Sequence, residues 1–476
     1  MNYINLVALG MFVLIGTFIA ILSRRMGVKS ASDYYVAGGR MGALLATGTY
    51  AATTYSAFMM IGLVGLTFQT GIGALGFELI YLVATVFMLS TLGFKIWSLS
   101  RARGWISPSQ MIGDLYQSKT LATVTAFLYL FAMLPYTVAQ IQGLGILLQI
   151  SGLEYMYGVI LGAFVIVLWI LLAGIWSVAS TDLYQGLLML TGGVVYLSWM
   201  VGTVQEKTDL WQSIKMVGEQ GYLGITSFWS PQVFLAYTIP WIFFAITNPQ
   251  VVSRLYVHKN SAVFKRSVVL FSIYGFIYTL IAVGVGILAR VMAVSGLIPG
   301  NLARDAVTPH ILSLMSPALS ALISVSIMAA AISTANSIVL TVSSSIFKDI
   351  LNSRETSLRT AFLLNLVLTM VASALALLRL GYIVDLSVLT SVILLPLAPI
   401  TIVGVLRHGR PSKTSSICAV IAIVIGSGIA MYSFITIGAL KTFFASYLYL
   451  PLSAWVLIIS TIIVVAGALI DERKKE

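Results

Sequence analysis

The sequence has 476 residues, 59% of them hydrophobic and only 9% charged, with a mean hydropathy of +1.00. A soluble domain carries roughly 25% charged residues, and no water-soluble packing of this length could hide so much apolar surface. One cysteine, Cys418, and three histidines exclude a disulfide framework and leave little for zinc, and neither GxxxxGK[ST] nor HExxH occurs, which removes nucleotide and metalloprotease chemistry.

The chain reads as an all-α polytopic membrane protein. A crossing needs about 20 apolar residues for a core about 30 Å thick. Such stretches define thirteen spans: 3–23, 43–68, 75–98, 120–147, 156–178, 184–203, 231–249, 267–290, 313–346, 360–379, 383–406, 415–439 and 450–470. Span 1 lacks a basic leader region and runs into Arg24-Arg25 instead of a small-residue cleavage site, so it reads as retained. Span 2 carries a polar, glycine-bearing patch from Thr47 to Phe58. Glu78 opens span 3 and Asp385 opens span 11, both placed near a hydrated boundary. Asp182 follows span 5 in Ser180–Gln185; it is either a functional carboxyl or a cap at the start of span 6. Span 7 holds Pro240 near its middle and Pro249 at its end. Span 9 is too long for one straight crossing, which predicts an added surface helix or a tilted entry. One of its faces presents Ser326, Ala330, Ser333, Thr334, Ser337 and Thr341, suited either to a close helix seam or to oxygen ligation of a hard cation.

Net charge is +12, and its distribution has a pattern. Loops after odd-numbered spans hold 21 of the 27 Lys and Arg residues. The positive-inside rule then puts the N-terminus out and the C-terminus in. The basic excess is explained by topology and by anionic lipid, with no call for nucleic acid. Spans 2–6 and 7–11 form two sets of five, so the second starts from the opposite face, and each set begins with an interrupted helix. Broken helices at matching positions of inverted repeats mark the binding site of a secondary transporter.

These residues carry a resemblance. The chain resembles the sodium:solute symporters, on Ser32–Arg40 after span 1, Tyr55–Gly62 in span 2, Ser180-Thr181-Asp182 with Gln185, Asn248–Arg254, and Ala329–Ser337 followed by Lys348-Asp349-Ile350. The resemblance implies a single five-plus-five, leucine-transporter-type domain over 1–476. Its parts would be a peripheral helix and inner loop (1–42), repeats at 43–203 and 231–407, and peripheral C-terminal helices (408–476). It implies a sodium site from the carbonyls of Ala52, Tyr55 and Ala330 and the hydroxyls of Ser333 and Thr334. A second sodium would fall to Asp182, Asn336 and Ser337. Substrate contacts would be Ser56, Ala57, Phe58, Tyr136, Trp241 and Ala245, with Arg40 near the ion route. Against the proline-carrier branch, Thr54 stands for an acid, Phe58 for Trp and Ala245 for Tyr, which points away from proline.

The expected protein is thus a multi-pass transporter of the cell membrane, not an enzyme. It would move a small, carboxylate-bearing organic solute (pantothenate-, monocarboxylate- or amino-acid-like) with sodium by alternating access. Sodium and the solute are the expected partners, with no organic cofactor and no obligate protein partner. The alternatives are a proton-coupled symporter using Asp182 and, behind it, a channel or a membrane-embedded enzyme.

Overall fold

A computed structural model describes residues 3–28, 30–150, 152–351, 358–407 and 413–473. Among these the chain is helical apart from one two-residue strand pair, Ser446–Tyr447 with Leu450–Pro451, and a lone bridge between Met41 and His258. Helices satisfy their own backbone, the requirement that hydrocarbon imposes. Nine described helices have the length and apolarity to cross a bilayer, or eleven if each of two bent pairs is one crossing. Span 10 is the helix Leu358–Ala376, and span 7 is split into Pro231–Ile242, Phe244–Thr247 and Pro249–Leu255.

Three expectations change at this level. Spans 5 and 6 are not joined by a loop at 179–183. Tyr155–Ala173 and Ile175–Lys207 meet at the single residue Gly174, whose φ of +57° makes the reversal that an L side chain resists. A Cβ there would also strike Tyr34, 2.6 Å from its backbone oxygen. Asp182 is therefore inside span 6 and caps nothing. Span 9 is preceded by a separate short helix, Val307–Ser313, and then runs through Pro317–Ser345 into a π turn at Ile346–Ile350. Span 11 breaks as well: Ile383–Leu394 and Leu397–Leu406 are bent by 47°, with Pro396 between them.

Span 9 lies at the centre, with 83% of its most apolar stretch buried against 28% for span 1. Its small residues let neighbours approach closely, and Gly192 of span 6 has room only for the Ser326 side chain. Loops collect on two faces. On one, Arg101 bonds the Gly39 carbonyl at 2.8 Å, the Met41 amide bonds Val257 at 2.9 Å, and Ser107 and Ser109 both donate to Asp349 at 2.7 Å. On the other, Gln69 bonds the Leu302 carbonyl at 3.0 Å, the Ile72 amide bonds Tyr222 at 2.8 Å, and Arg379 bonds Gln149 at 3.1 Å. The first holds the Lys/Arg-rich loops and is the basic face; the second is the opposite face.

Candidate functional site at the broken helices

Span 2 stops at Thr54 and resumes at Phe58, with a 46° bend. Tyr55 is extended (φ −93°, ψ 105°), and its amide makes the last bond of the first half, to Ala51 at 2.9 Å. The second half is started by side chains: Ser56 Oγ accepts from the Phe58 amide at 3.1 Å and Gln140 Oε1 from the Ala57 amide at 3.2 Å. Orphan donors at a helix start need such partners, above all without water. Six residues, Phe58–Leu63, then form a π turn, a distortion frequent at functional sites.

The break frees carbonyls that face span 9. Ala52 O accepts from Ser333 Oγ at 2.7 Å and from Thr334 Oγ1 at 3.3 Å; Thr334 also donates to Thr53 O at 3.2 Å. Ser333 Oγ lies 3.0 Å from Ala330 O. Ala52, Ala330, Ser333 and Thr334 thus meet as a cluster of neutral oxygens, and Tyr55 forms the adjoining turn. All five are buried. Neutral carbonyl and hydroxyl oxygens are ligands for a hard cation.

One turn along span 9 the chemistry differs. Ser337 Oγ lies 2.7 Å from Thr53 Oγ1 and accepts from Arg254 Nη2 at 2.6 Å. Arg254 also donates to Thr49, Ser253 and Thr341, at 3.3, 3.1 and 3.4 Å. Thr49 in turn donates to Asp182 Oδ2 at 2.6 Å. The sequence reading placed Arg254 in a loop, yet it is only 1% exposed. A buried guanidinium is tolerable only when hydrogen-bonded and charge-compensated, and this network does both. Asp182 and Ser337 are therefore connected through Thr49 and Arg254, with Thr53 bonded to Ser337 beside them. Asn336 is buried nearby in sequence, but its amide has no partner among the described residues.

The expected substrate residues converge around Trp241. Its ring centroid is 4.6 Å from Phe58, and Ala245 is buried one turn further along span 7. Ser56 and Ala57 lie in the break, and Tyr136 and Gln140 face it from span 4. The sequence reading missed the fourth wall. Span 3 supplies Phe77 and Tyr81, whose rings lie 5.6 and 4.7 Å from Trp241, and between them stands Glu78. Glu78 is 0% exposed, not at a hydrated boundary, and neither carboxyl oxygen has a hydrogen-bond partner among the described residues. It sits on span 3 next to Phe77 and three residues before Tyr81, the two rings that meet Trp241. The Tyr81 hydroxyl and Trp241 Nε1 likewise have no hydrogen-bond partner among the described residues. Unmade hydrogen bonds of this kind are costly in the interior and point to a ligand's polar groups. Asp385 also moves from its expected place: it is buried, 3.2 Å from the Tyr237 hydroxyl and 3.5 Å from Arg304. Arg40 lies on the basic face, half-exposed and paired with Asp33 at 2.6 Å, joined to neither cluster by a hydrogen bond.

Residues 34–406 match the model of the Sodium:solute symporter family. The chain is 27% identical over 261 residues to the Sodium/pantothenate symporter of Escherichia coli (strain K12), a match covering 54% of each protein. It is 25% identical over 163 residues to the Uncharacterized symporter YodF of Bacillus subtilis (strain 168), covering 34% of this chain and 33% of that one. The alignments thus span about half and a third of those relatives. Among solved structures, a Na+-coupled sialic acid symporter in its substrate-bound outward-open state superposes with a TM-score of 0.81 at 18% identity, over 98% of both chains. Mhp1, a nucleobase-cation-symport-1 family transporter in a closed conformation, gives 0.57 at 13% identity over 94% of this chain and 96% of that one. At such identities the likeness is one of fold.

Proposed function

The chain belongs to the sodium:solute symporter family, and from that premise we propose that it carries a small organic solute into the cell together with sodium. The observation behind this reading is the contact between the Ala52 carbonyl, released by the break in span 2, and the Ser333 and Thr334 hydroxyls of span 9. A sodium ion entering there replaces the two hydroxyl protons as the positive partner of Ala52 O. Ser333 and Thr334 then turn their lone pairs inward, and the carbonyls of Tyr55 and Ala330 complete the set. The ion ties the hinge of span 2 to span 9 and so orders the chamber one residue further on, lined by Ser56, Ala57, Phe58, Tyr136, Trp241 and Ala245.

Sodium and solute thereby favour each other, and the coupling is reciprocal. One inward charge is worth about 2.3 kcal/mol per 100 mV, enough at about 1.4 kcal/mol per tenfold to support roughly 40-fold accumulation before any chemical gradient. The basic face is cytoplasmic in this reading, with spans 2–6 and 7–11 as the two inverted halves that rock about the site. One sodium moves per cycle. A second at Asp182, Asn336 and Ser337 would share Ser337 with the Arg254 guanidinium, and like charges about 4 Å apart cost about 4 kcal/mol at an effective dielectric of 20.

The solute pairs a carboxylate with hydrogen-bond donors. The relatives named for pantothenate and sialic acid support a carboxylate. The donors, hydroxyl or ammonium, follow from Glu78, which offers two acceptor oxygens that no described residue satisfies. The test is uptake by proteoliposomes under an imposed sodium gradient. Ser333→Ala with Thr334→Ala should raise the half-saturating sodium concentration by about tenfold to a hundredfold, with a sodium Hill coefficient near one in the parent protein. Uptake that runs at full rate without sodium, or an unchanged sodium dependence in the double variant, rejects the reading; if Asp182→Asn also abolished that sodium-free uptake, the proton-coupled alternative would replace it.

A further inference from the structure

On the opposite face, a cavity of about 640 Å³ opens between the ends of spans 4, 10 and 11 and the segment before the helix Val307–Ser313. Gln142, Asp305 and Asp385 lie in its wall, and Trp241 is not among the lining residues. Each of these residues has one polar atom bonded within the fold and one oxygen without a partner. Asp305 Oδ2 accepts the Ile383 amide at 3.0 Å and so caps the start of span 11. Asp385 Oδ1 takes the Tyr237 hydroxyl at 3.2 Å and Arg304 at 3.5 Å. Gln142 donates its amide to Gly381 O at 3.0 Å, leaving the carbonyl oxygen free. Asp305 Oδ1, Asp385 Oδ2 and Gln142 Oε1 then have no hydrogen-bond partner among the described residues. Gln142 is 4% exposed, Asp385 1% and Asp305 9%, so each is nine-tenths or more buried beside the cavity.

The charges do not balance. Asp385 has one close guanidinium, Arg304 at 3.5 Å, and no ion pair to Asp305 is present among the described residues. Arg379 lines the rim, but its guanidinium bonds Gln149 and lies over the Tyr155 ring at 4.0 Å. Burial pushes the Asp305 carboxyl up to about 7, against the lowering effect of the Ile383 amide. Two carboxylates and a neutral amide carbonyl, all oxygen, suit a hard cation, and the single uncompensated negative charge suits a monovalent one.

We propose that this cavity is a second sodium-binding place, an entry site formed by Asp305, Asp385 and Gln142 at the mouth of the transport path. It rests on the orientation in the proposed function, which puts the opposite face outside, and on sodium as the coupling ion. The site concentrates sodium at the entrance, on the face that carries only six of the 27 Lys and Arg residues. It also gives Asp385 a choice between sodium and Arg304, the residue that bonds Gln69 at the end of span 2 at 3.1 Å.

The experiment uses purified full-length protein and the sodium-dependent rise in melting temperature, with N-methyl-D-glucamine chloride holding ionic strength constant. In the Ser333→Ala/Thr334→Ala background, which disables the central site, a sodium-specific rise should remain. Adding Asp305→Asn, which keeps the acceptor for the Ile383 amide and removes only the charge, should raise the half-saturating sodium concentration at least about tenfold. Gln142→Leu should weaken it in the same direction, an independent check should one variant fold poorly. The assignment is overturned if the double variant retains no sodium-specific rise, if Asp305→Asn leaves that rise unchanged, or if tetramethylammonium produces the Asp305-dependent effect and sodium does not. Failure of the central reading looks different: Ser333→Ala/Thr334→Ala would then leave sodium-driven uptake untouched.

Discussion

Ser333 and Thr334 could be serving only as packing residues, since hydroxyls in apolar helices routinely bond backward to their own helix. What separates them from that role is the partner: both reach across to Ala52 of another span. Glu78 raises a sharper issue, because a buried carboxyl without donors is destabilising unless something else meets it. Glu78→Gln should therefore cost solute affinity, raising KM at least about tenfold, while leaving sodium-induced stabilisation in the absence of solute intact. Uptake kinetics and thermal unfolding read these two effects separately, and an unchanged KM would remove Glu78 from the chamber. Arg254 is the opposite case, a charge already compensated. Arg254→Met strands Asp182 and should lower stability by about 3–5 kcal/mol, and the double change with Asp182→Asn should recover part of it; the comparison is made by denaturation of the sodium-free protein. Neither Glu78 nor Arg254 was recognised for its role in the sequence. Glu78 sits at the start of an apolar run, where a boundary position is the natural reading, and Arg254 follows a proline-containing stretch that resembles a loop. Burial from three sides is a property of neighbours that are distant along the chain.

At the scale of elements, the breaks organise the molecule. Those in spans 2 and 7 were visible as glycine, threonine and proline inside apolar runs, and they meet at Phe58 and Trp241. The break at Pro396 in span 11 was not singled out, although a proline inside a helix removes a donor and bends the axis. The joint between spans 5 and 6 was displaced because hydropathy smooths over a reversal made by one glycine. Gly174→Ala tests that joint. It forces a left-handed φ on alanine, a strain of about 1–3 kcal/mol, and sets a methyl group against Tyr34. The variant should unfold at lower temperature and lose uptake in proportion to the folded fraction; wild-type melting would mean that the reversal relaxes elsewhere.

For the whole molecule, the segment around Arg304 ties three spans together at the opposite face. Arg304 bonds Gln69 of span 2, the Tyr237 hydroxyl of span 7 and Asp385 of span 11, and Thr308 donates to the Met60 carbonyl in the π turn at 2.5 Å. In the proposed cycle, opening a path on that face means undoing these bonds, so Arg304→Gln should shift the population toward the open form. In a Cys418→Ser background with Ala57→Cys, a membrane-impermeant thiol reagent should label the chamber about fivefold faster, the effect of about 1 kcal/mol. An unaltered labelling rate would show that Arg304 does not hold the closed form. On the basic face Asp349 gathers Ser107 and Ser109 at the foot of span 9, so closure there depends on a different set of bonds.

The sequence alone determined the class of protein, because 9% charge and long apolar runs admit only a membrane-spanning helical chain. It also located the helix breaks of spans 2 and 7 and the hydroxyl face of span 9, since glycine, proline and small polar residues act through local backbone chemistry. Only the tertiary structure decided which polar groups meet: Ala52 with Ser333, Arg254 with Ser337, and Glu78 with no partner among the described residues. Those outcomes depend on how helices far apart in the chain pack side by side, and hydrophobic periodicity fixes which residues are buried without fixing what they are buried against.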